Sequence, residues 1–266
     1  MSEFSAQRHI VAISGGKASA WCAWWAVNNL PKEKVVLYFN DTGWEHHDLY
    51  RFLDDVSNKL EHEITRDSDG RSPEELFTDV NALANNRMPF CSRILKAERL
   101  QSFLTDGDKI YFGIGGDELH RAQRIADVYR KVSESKKINI RVGFPLLKNK
   151  VTAHAVDTLL ADLGIVEPEL YKLGFEHNNC SGGCVRAGKK QWKLLLEKLP
   201  DVYAERERVE NDFRKRTNKD VHFLKDETLS SFRERVKHGV LSTHYANNNE
   251  DIQMPLECFG ICDSQN

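Results

Sequence analysis

The residues best suited to chemistry come early in the chain. Ser14-Gly15-Gly16-Lys17-Ala18-Ser19 follows directly on the apolar run His9-Ile10-Val11-Ala12-Ile13. A strand that feeds a glycine-rich turn and then a helix builds a phosphate cradle. Gly15 and Gly16 allow a tight turn with exposed N–H groups, and the helix points its positive end at the anion. Lys17 and the hydroxyls of Ser14 and Ser19 add direct contacts. Alone, the hexapeptide reads equally well as an ordinary strand-to-helix turn with a solvated lysine. Its weight comes from the clusters that accompany it.

Two such clusters end later apolar runs. Asn40 to Glu45 follows Lys34-Val-Val-Leu-Tyr-Phe, and Gly113 to Arg124 follows Ile110-Tyr111-Phe112. Arg121 and Arg124 are three apart, so a helix puts them on one face, suited to an anionic substrate. The six cysteines divide by context. Cys22 sits among Trp21, Trp24 and Trp25 and reads as a buried core thiol. Cys180 and Cys184 form one Cys-x-x-x-Cys pair, Cys258 and Cys262 another, and Cys91 stands apart. Three readings stay open for these five: an iron–sulfur cluster, a structural zinc ion, or thiols that hold no metal. Gly182 and Gly183 give the backbone freedom to wrap a bulky group. His177 reads as a hydrogen-bond donor to such a group or, equally, as a surface or core histidine.

The elements that must position these residues alternate. The pattern predicts strands at 9–14, 34–40, 62–65, 108–114 and 139–144. Helices are expected at 18–30, at 45–59, from the Ser72-Pro73-Glu74-Glu75 capping box onward, and at 92–104. A further helix is capped by Thr152 and stopped by Gly164. Such alternation predicts an α/β fold, a doubly wound and mostly parallel sheet with helices on both faces. Ligands in such sheets bind at the carboxyl ends of the strands, where all three polar clusters lie. Beyond residue 168 the character changes to a Cys/Gly/Asn-rich loop and helices at about 186–217 and 227–238. The expected division is therefore a nucleotide-binding domain over 1–168 and a cysteine-containing helical extension over 169–266, packed on it.

The bulk composition narrows the class. The 266 residues are 40% hydrophobic and 29% charged, with a net charge of −2. No run is long enough to span a membrane and none reads as a secretory signal, so a cytoplasmic, reducing setting is expected. The near-neutral charge argues against a general nucleic-acid coat. Residues 186–219, with 11 Lys/Arg against 6 Asp/Glu, read as a solvated helix face or as a docking surface for nucleic acid or an acidic protein.

Taken together these motifs resemble the phosphoadenosine-phosphosulfate-reductase-like branch of the adenine nucleotide alpha hydrolase (PP-loop ATP pyrophosphatase) superfamily. The resemblance runs over roughly 8–200. Ser14–Ser19 is similar to the pyrophosphate loop, and Tyr38 to Glu45 to the second motif. Cys91 to Lys96 resembles the Cys-x-x-x-x-Lys segment, Gly113 to Arg124 the Gly-x-x-x-x-Glu…Arg motif, and Phe144-Pro145-Leu146 a Pro-Leu element. His177 to Cys184 is the most specific match. It suggests a subgroup of phage and mobile elements related to DNA phosphorothioation. Two departures stand out. Ala18 occupies a place usually held by Asp or Thr, and Glu257-Cys258-Phe259-Gly260 lacks the histidine that follows the catalytic cysteine of the sulfate-assimilation reductases.

The resemblance implies cleavage of ATP between its α- and β-phosphates, adenylation of an acceptor, and displacement of AMP by sulfur. It implies a nucleotide site of Ser14, Gly15, Gly16, Lys17, Ser19, Asn40, Asp41, Thr42, Gly115 and Asp117, with Mg²⁺ as a bridge. The reacting groups it implies are Lys17, Asp41, Glu45, Lys96, Glu118, Arg121 and Arg124. A [4Fe–4S] cluster would use Cys91, Cys180 and Cys184 with Cys262 or Cys258 as the fourth ligand, zinc being the alternative. The implied acceptor is DNA or tRNA, and the sulfur would come from a cysteine desulfurase or another donor. Two other readings follow from the departures: a phosphoadenosine phosphosulfate (PAPS) reductase, or a nucleotide-binding subunit without turnover.

Overall fold

The computed structural model describes residues 6–239. Five strands form one sheet: β1 (His9–Ile13), β2 (Val35–Asp41), β3 (Ile64–Ser68), β4 (Lys109–Phe112) and β5 (Arg141–Gly143). All neighbours pair in parallel, in the order β3-β2-β1-β4-β5. The chain first builds outward from β1 to β3, then returns to place β4 on the other side of β1. The crevice between the ends of β1 and β4 is thus the switch point, where such sheets bind ligands.

Both faces of the sheet are buried, which is why β1 reads as a continuous apolar run rather than an alternating one. Val11, Ile13, Leu37, Phe39 and Tyr111 pack beneath α1 (Lys17–Asn29), α2 (His47–Leu60) and α8 (Ala153–Asp162). Ile10, Ala12, Tyr38, Ile110 and Phe112 face the other way, onto α5 (Arg99–Phe103) and α6 (Leu119–Lys136). Cys22 lies in the first of these cores, fully buried, and burial pushes its thiol far above the ordinary range.

A third core belongs to the later helices. Trp192 on α10 (Lys189–Lys198), Tyr203, Val209 and Phe213 on α11 (Pro200–Thr217) and Phe232 on α12 (Leu229–Lys237) close around Phe175 and Phe223. Trp44, Phe77 of α3 (Pro73–Val80) and Leu83 enter the same core, so the helical extension is packed onto the region before residue 168.

Two helices differ from expectation in an informative way. The helix anticipated at 92–104 starts as α4 (Phe90–Ser92) and passes through a π-helical stretch, Arg93–Glu98, before becoming α5. The wider turn brings the consecutive residues Leu95, Lys96 and Ala97 all inside. The helix anticipated at 186–217 is two helices, because Pro200 has no N–H with which to continue α10 and instead starts α11. The shorter helices α7 (Pro145–Lys148) and α9 (Glu169–Lys172) lie in the connections. Among the described residues no helix is long and apolar enough to cross a membrane. Cys258 and Cys262 lie outside the described residues.

Candidate active site

The loop after β1 is built as a cradle. Gly15 has φ +79°, and a Cβ there would come within 2.7 Å of Leu49. Gly16 caps α1 in an extended conformation with no side chain bonded to the helix amides, and the first turn holds no acidic residue. The N-terminal amides are therefore left without a side-chain cap, as an anion site requires. The serines brace the loop itself. Ser19 Oγ accepts from Ser14 N at 3.2 Å and donates to Gly16 O at 2.8 Å, and the two hydroxyls are 3.2 Å apart.

Lys17 reaches sideways out of the loop. Its Nζ lies 2.7 Å from Asp157 of α8 and 3.4 Å from Glu167, and 4.9 Å from the ring centre of Tyr171. Burial lowers its pKa, but the two carboxylates outweigh burial and raise it. Asp48 anchors the same segment by accepting from Glu169 N at 2.7 Å.

The end of β2 carries the second cluster. Asn40 is buried, its Nδ2 near Tyr38 Oη and Asp67, and its Oδ1 has no hydrogen-bond partner among the described residues. Asp41 Oδ1 accepts from Gly43 N at 2.8 Å and from the Tyr50 hydroxyl at 2.9 Å. Glu45 has a fully buried side chain with both oxygens engaged. Oε1 accepts from Lys96 Nζ at 2.8 Å and from the Thr42 hydroxyl at 3.0 Å, and Oε2 accepts from Cys180 N at 2.8 Å. Glu45 and Lys96, expected among the reacting groups, thus stand here as a buried ion pair that ties three segments together.

At the end of β4, Gly113 lies against the first turn of α1. A Cβ there would be 2.7 Å from the Ala18 carbonyl and from Ser19 N. Gly115 N donates to Glu118 at 3.3 Å, and Asp117 lies in the single turn Gly116–Glu118. Arg121, nearly buried, donates to Glu118 at 2.5 Å. Arg124 is half-buried, one turn further along α6.

Cys91, Cys180 and Cys184 come together. They line one small pocket with Thr42, Trp44, Pro73, Lys96 and Arg186. The gap is about 20 Å³, room for one water-sized occupant, and Cys91, Cys180 and Arg186 in its lining are partly buried. Among the described residues the three sulfurs do not all lie within 4.8 Å of one another. A single tetrahedral zinc ion with 2.3 Å bonds draws its thiolates to about 3.8 Å. A cubane sets one thiolate on each iron and holds them farther apart. The donor set fits a cluster in its chemistry, and a cubane needs more room than the gap of about 20 Å³ offers. The described group whose ligand atoms do crowd within 4.8 Å is His46, His47 and Glu169, beside α2.

The turn that bears the cysteines is bolted to the phosphate loop. Asn178 Nδ2 donates to Gly15 O at 2.8 Å, Cys180 N to Glu45, and the Ser181 hydroxyl to Trp44 O at 3.0 Å. Sequence reasoning did not single out Asn178, Asp157, Glu167 or Tyr171 as site residues. Asn178 stood beside the cysteine motif, but the other three lie some 140 residues or more from Lys17 and gave no local signal.

No curated protein matches the chain. A family model for the phosphoadenosine phosphosulfate reductase domain matches residues 8–186, a span that holds the phosphate loop, the second-strand turn, Cys91 and the whole Cys180–Cys184 turn. With two thirds of its length matched in this way, the chain belongs to the phosphoadenosine phosphosulfate reductase domain family.

Proposed function

We propose that the chain is an ATP-dependent sulfur-transfer enzyme that adenylates an acceptor, with nucleic acid as the acceptor class. One observation carries the reading. The cysteine turn is hydrogen-bonded both to the phosphate loop, through Asn178, and to the turn after β2, through Cys180 and Ser181. A nucleotide held at the first and sulfur chemistry at the second would be neighbours.

The uncapped amides of α1 would take the pyrophosphate oxygens. Asn40 Oδ1, buried without a hydrogen-bond partner, is the kind of acceptor that an adenine amino group satisfies. Mg²⁺ keeps most of its water and needs one or two carboxylates beside the phosphates, a role that suits Asp41. Arg121 and Arg124 would face the anionic acceptor. An acceptor oxygen attacks the α-phosphorus, a new O–P bond forms, and the bond to the β-phosphate breaks to release pyrophosphate. A sulfur nucleophile then forms its bond to the acceptor while the activated C–O or P–O bond breaks and AMP leaves. Cys91, Cys180 and Cys184 would hold a [4Fe–4S] cluster, with Cys262 or Cys258 as the fourth ligand; with the three thiolates alone, the fourth iron would be open to sulfide. Sulfur delivery by a cysteine desulfurase, and kinship with the phosphorothioation subgroup, belong to the same proposal.

The test follows the products of ATP with and without DNA or tRNA. AMP and pyrophosphate are expected, together with sulfur in the nucleic acid by mass spectrometry. Lys17→Ala is expected to suppress both. Cleavage to ADP and phosphate, or full cleavage by Lys17→Ala, sinks the ATP reading. The family match itself favours a second reading, reduction of phosphoadenosine phosphosulfate, for which sulfite release with a thiol donor is the readout.

A further inference from the structure

Arg206 lies in the middle of α11, outside the matched span 8–186. Its side chain is 2% exposed, and its guanidinium carbon stands 3.6 Å from the ring centre of Trp44. Nε and Nη1 have no hydrogen-bond partner among the described residues, although the half-exposed Glu205 comes within 3.4 Å of Nη1. A guanidinium stays protonated, and a buried one without compensation is costly. The groups whose charges reach it, besides Glu205, are Cys180, Glu45 and Cys184. It also lies against the cysteine turn, since a Cβ on Gly183 would come within 3.2 Å of its Cγ and Nε.

Among the described residues the charges around the cysteine pocket do not balance. Lys96 and Arg186 line it, Arg206 stands behind Trp44 and Gly183, and Glu45 is engaged by Lys96. Arg186 Nε also has no hydrogen-bond partner among the described residues. Among the described residues three cations thus surround three thiols, against two carboxylates, Glu45 and the half-exposed Glu205. This excess calls for an anionic occupant. A metal ion or cluster held by three or four thiolates is such an occupant, because the ligands bind deprotonated and outweigh the metal's charge.

We propose that Arg206 is the buried counter-cation of a metal–thiolate centre formed at Cys91, Cys180 and Cys184, so that the helical extension supplies charge to cysteines of the matched domain. The inference rests on the reading of these cysteines as metal ligands. Arg206 is a positioning residue, since it acts on the centre through the turn and through Trp44.

The test uses the full chain, stripped of metal anaerobically and then reloaded with ferrous iron and sulfide or, separately, with Zn²⁺. Bound metal and melting temperature are read for the native protein, Arg206→Met and Arg206→Lys. Methionine keeps the length and the packing on Trp44 but removes the charge. Stripped Arg206→Met is expected to melt at or above the native protein, because a buried charge countered only by the half-exposed Glu205 at 3.4 Å is gone. Loading is expected to raise the native Tm and to raise that of Arg206→Met less, by roughly 2–4 °C or more, a scale resolvable for a chain of this size. Arg206→Lys is expected to recover much of the difference. An equal drop in both forms would mean a packing role and overturn the proposal, as would equal gains on loading. A native protein that gains nothing from either metal removes the centre itself, a failure of the underlying reading that is distinct from a variant behaving like the native chain while both load.

Discussion

Gly113→Ala tests how the phosphate loop is held. The added Cβ would sit 2.7 Å from the carbonyl carbon and oxygen of Ala18 and from Ser19 N. Ordinary contact begins near 3.4 Å, so the strand end and the first turn of α1 must part by roughly 0.7 Å. All three atoms are backbone, so no rotamer change relieves the overlap. Overpacking of this kind costs about 1–3 kcal/mol. Gly113 is not at positive φ, so alanine returns about 0.4–1 kcal/mol through the unfolded state. The net loss is about 1–2 kcal/mol, or ~2–4 °C in Tm for each kcal/mol in a chain of this size. The loop amides move with the helix. A 2.9 Å hydrogen bond stretched by that amount is lost, and one bond to a charged phosphate is worth about 1.5–3 kcal/mol, or roughly tenfold or more in affinity. Calorimetric titration with ATP and thermal melts check both numbers. Gly116→Ala, with nothing within 4 Å and no positive φ, is the control expected to melt like the native chain. Native melting and ATP affinity in Gly113→Ala would refute the claim that β4 clamps the loop.

Two further perturbations probe the frame around the site. Lys96→Met leaves Glu45 buried beside Thr42 and Cys180 N without its cation, and about 3–5 kcal/mol of stability is expected to go, with partial recovery in Lys96→Met/Glu45→Gln; urea unfolding with no change would show the pair to be solvated. Asp48 titrates at about 2 instead of 3.8, held down by its hydrogen bonds from Arg51, against burial, with help from Glu169 N. A depressed carboxylate stabilises the fold above its unfolded pKa and loses that contribution as pH falls, here between about 4 and 2. Asp48→Asn is expected to remove roughly 1–2 kcal/mol at pH 7 and to flatten this part of the acid limb. An unchanged acid limb in that variant would count against the assignment.

The sheet could be read from the chain because its signals are local. Continuous apolar runs mark strands covered on both faces, and the polar residues that end β1, β2 and β4 fall on one edge once the strands are parallel and adjacent. The convergence of Cys91 with Cys180 and Cys184 came only through the family resemblance, since no spacing links residues about 90 apart. Side-chain direction was beyond reach. Lys17 reads as a phosphate ligand, yet its ammonium lies against Asp157 and Glu167, whose positions depend on how α8 docks on α1. Glu45 reads as a candidate base or metal ligand because it stands in a cluster at a strand end. The π-helical stretch that swings Lys96 inward makes it a buried link instead. Arg206, inside the run Glu205-Arg206-Glu207-Arg208, reads as one more charge on a solvated helix. Only the packing of Trp44 and Gly183 against α11 puts it inside.

The cysteine turn itself argues for a built site rather than an incidental one. Cys180 and Ser181 take φ of 48° and 51°, and Gly182 follows at 79°. Left-handed backbone costs a non-glycine residue roughly 1–2 kcal/mol, so two in succession persist only where surrounding contacts over-determine them. Those contacts are present. Cys180 N is held by Glu45, the Ser181 hydroxyl by Trp44 O, and Gly182 O by the Gln191 side chain. Gly182 N and Gly183 N close back on Asn179 O and Cys180 O. A Cβ on Gly182 would also strike the Phe175 ring at 2.6 Å, so the third core presses on the turn from behind. An ordinary connection between a loop and α10 needs none of this. What the strained backbone achieves is to set both cysteines of the pair on the wall that Cys91 completes, with Cys180 bonded through its N–H to Glu45 and two residues beyond Asn178, which reaches the phosphate loop. A change that relaxes the turn therefore disturbs the cysteines and the nucleotide cradle together.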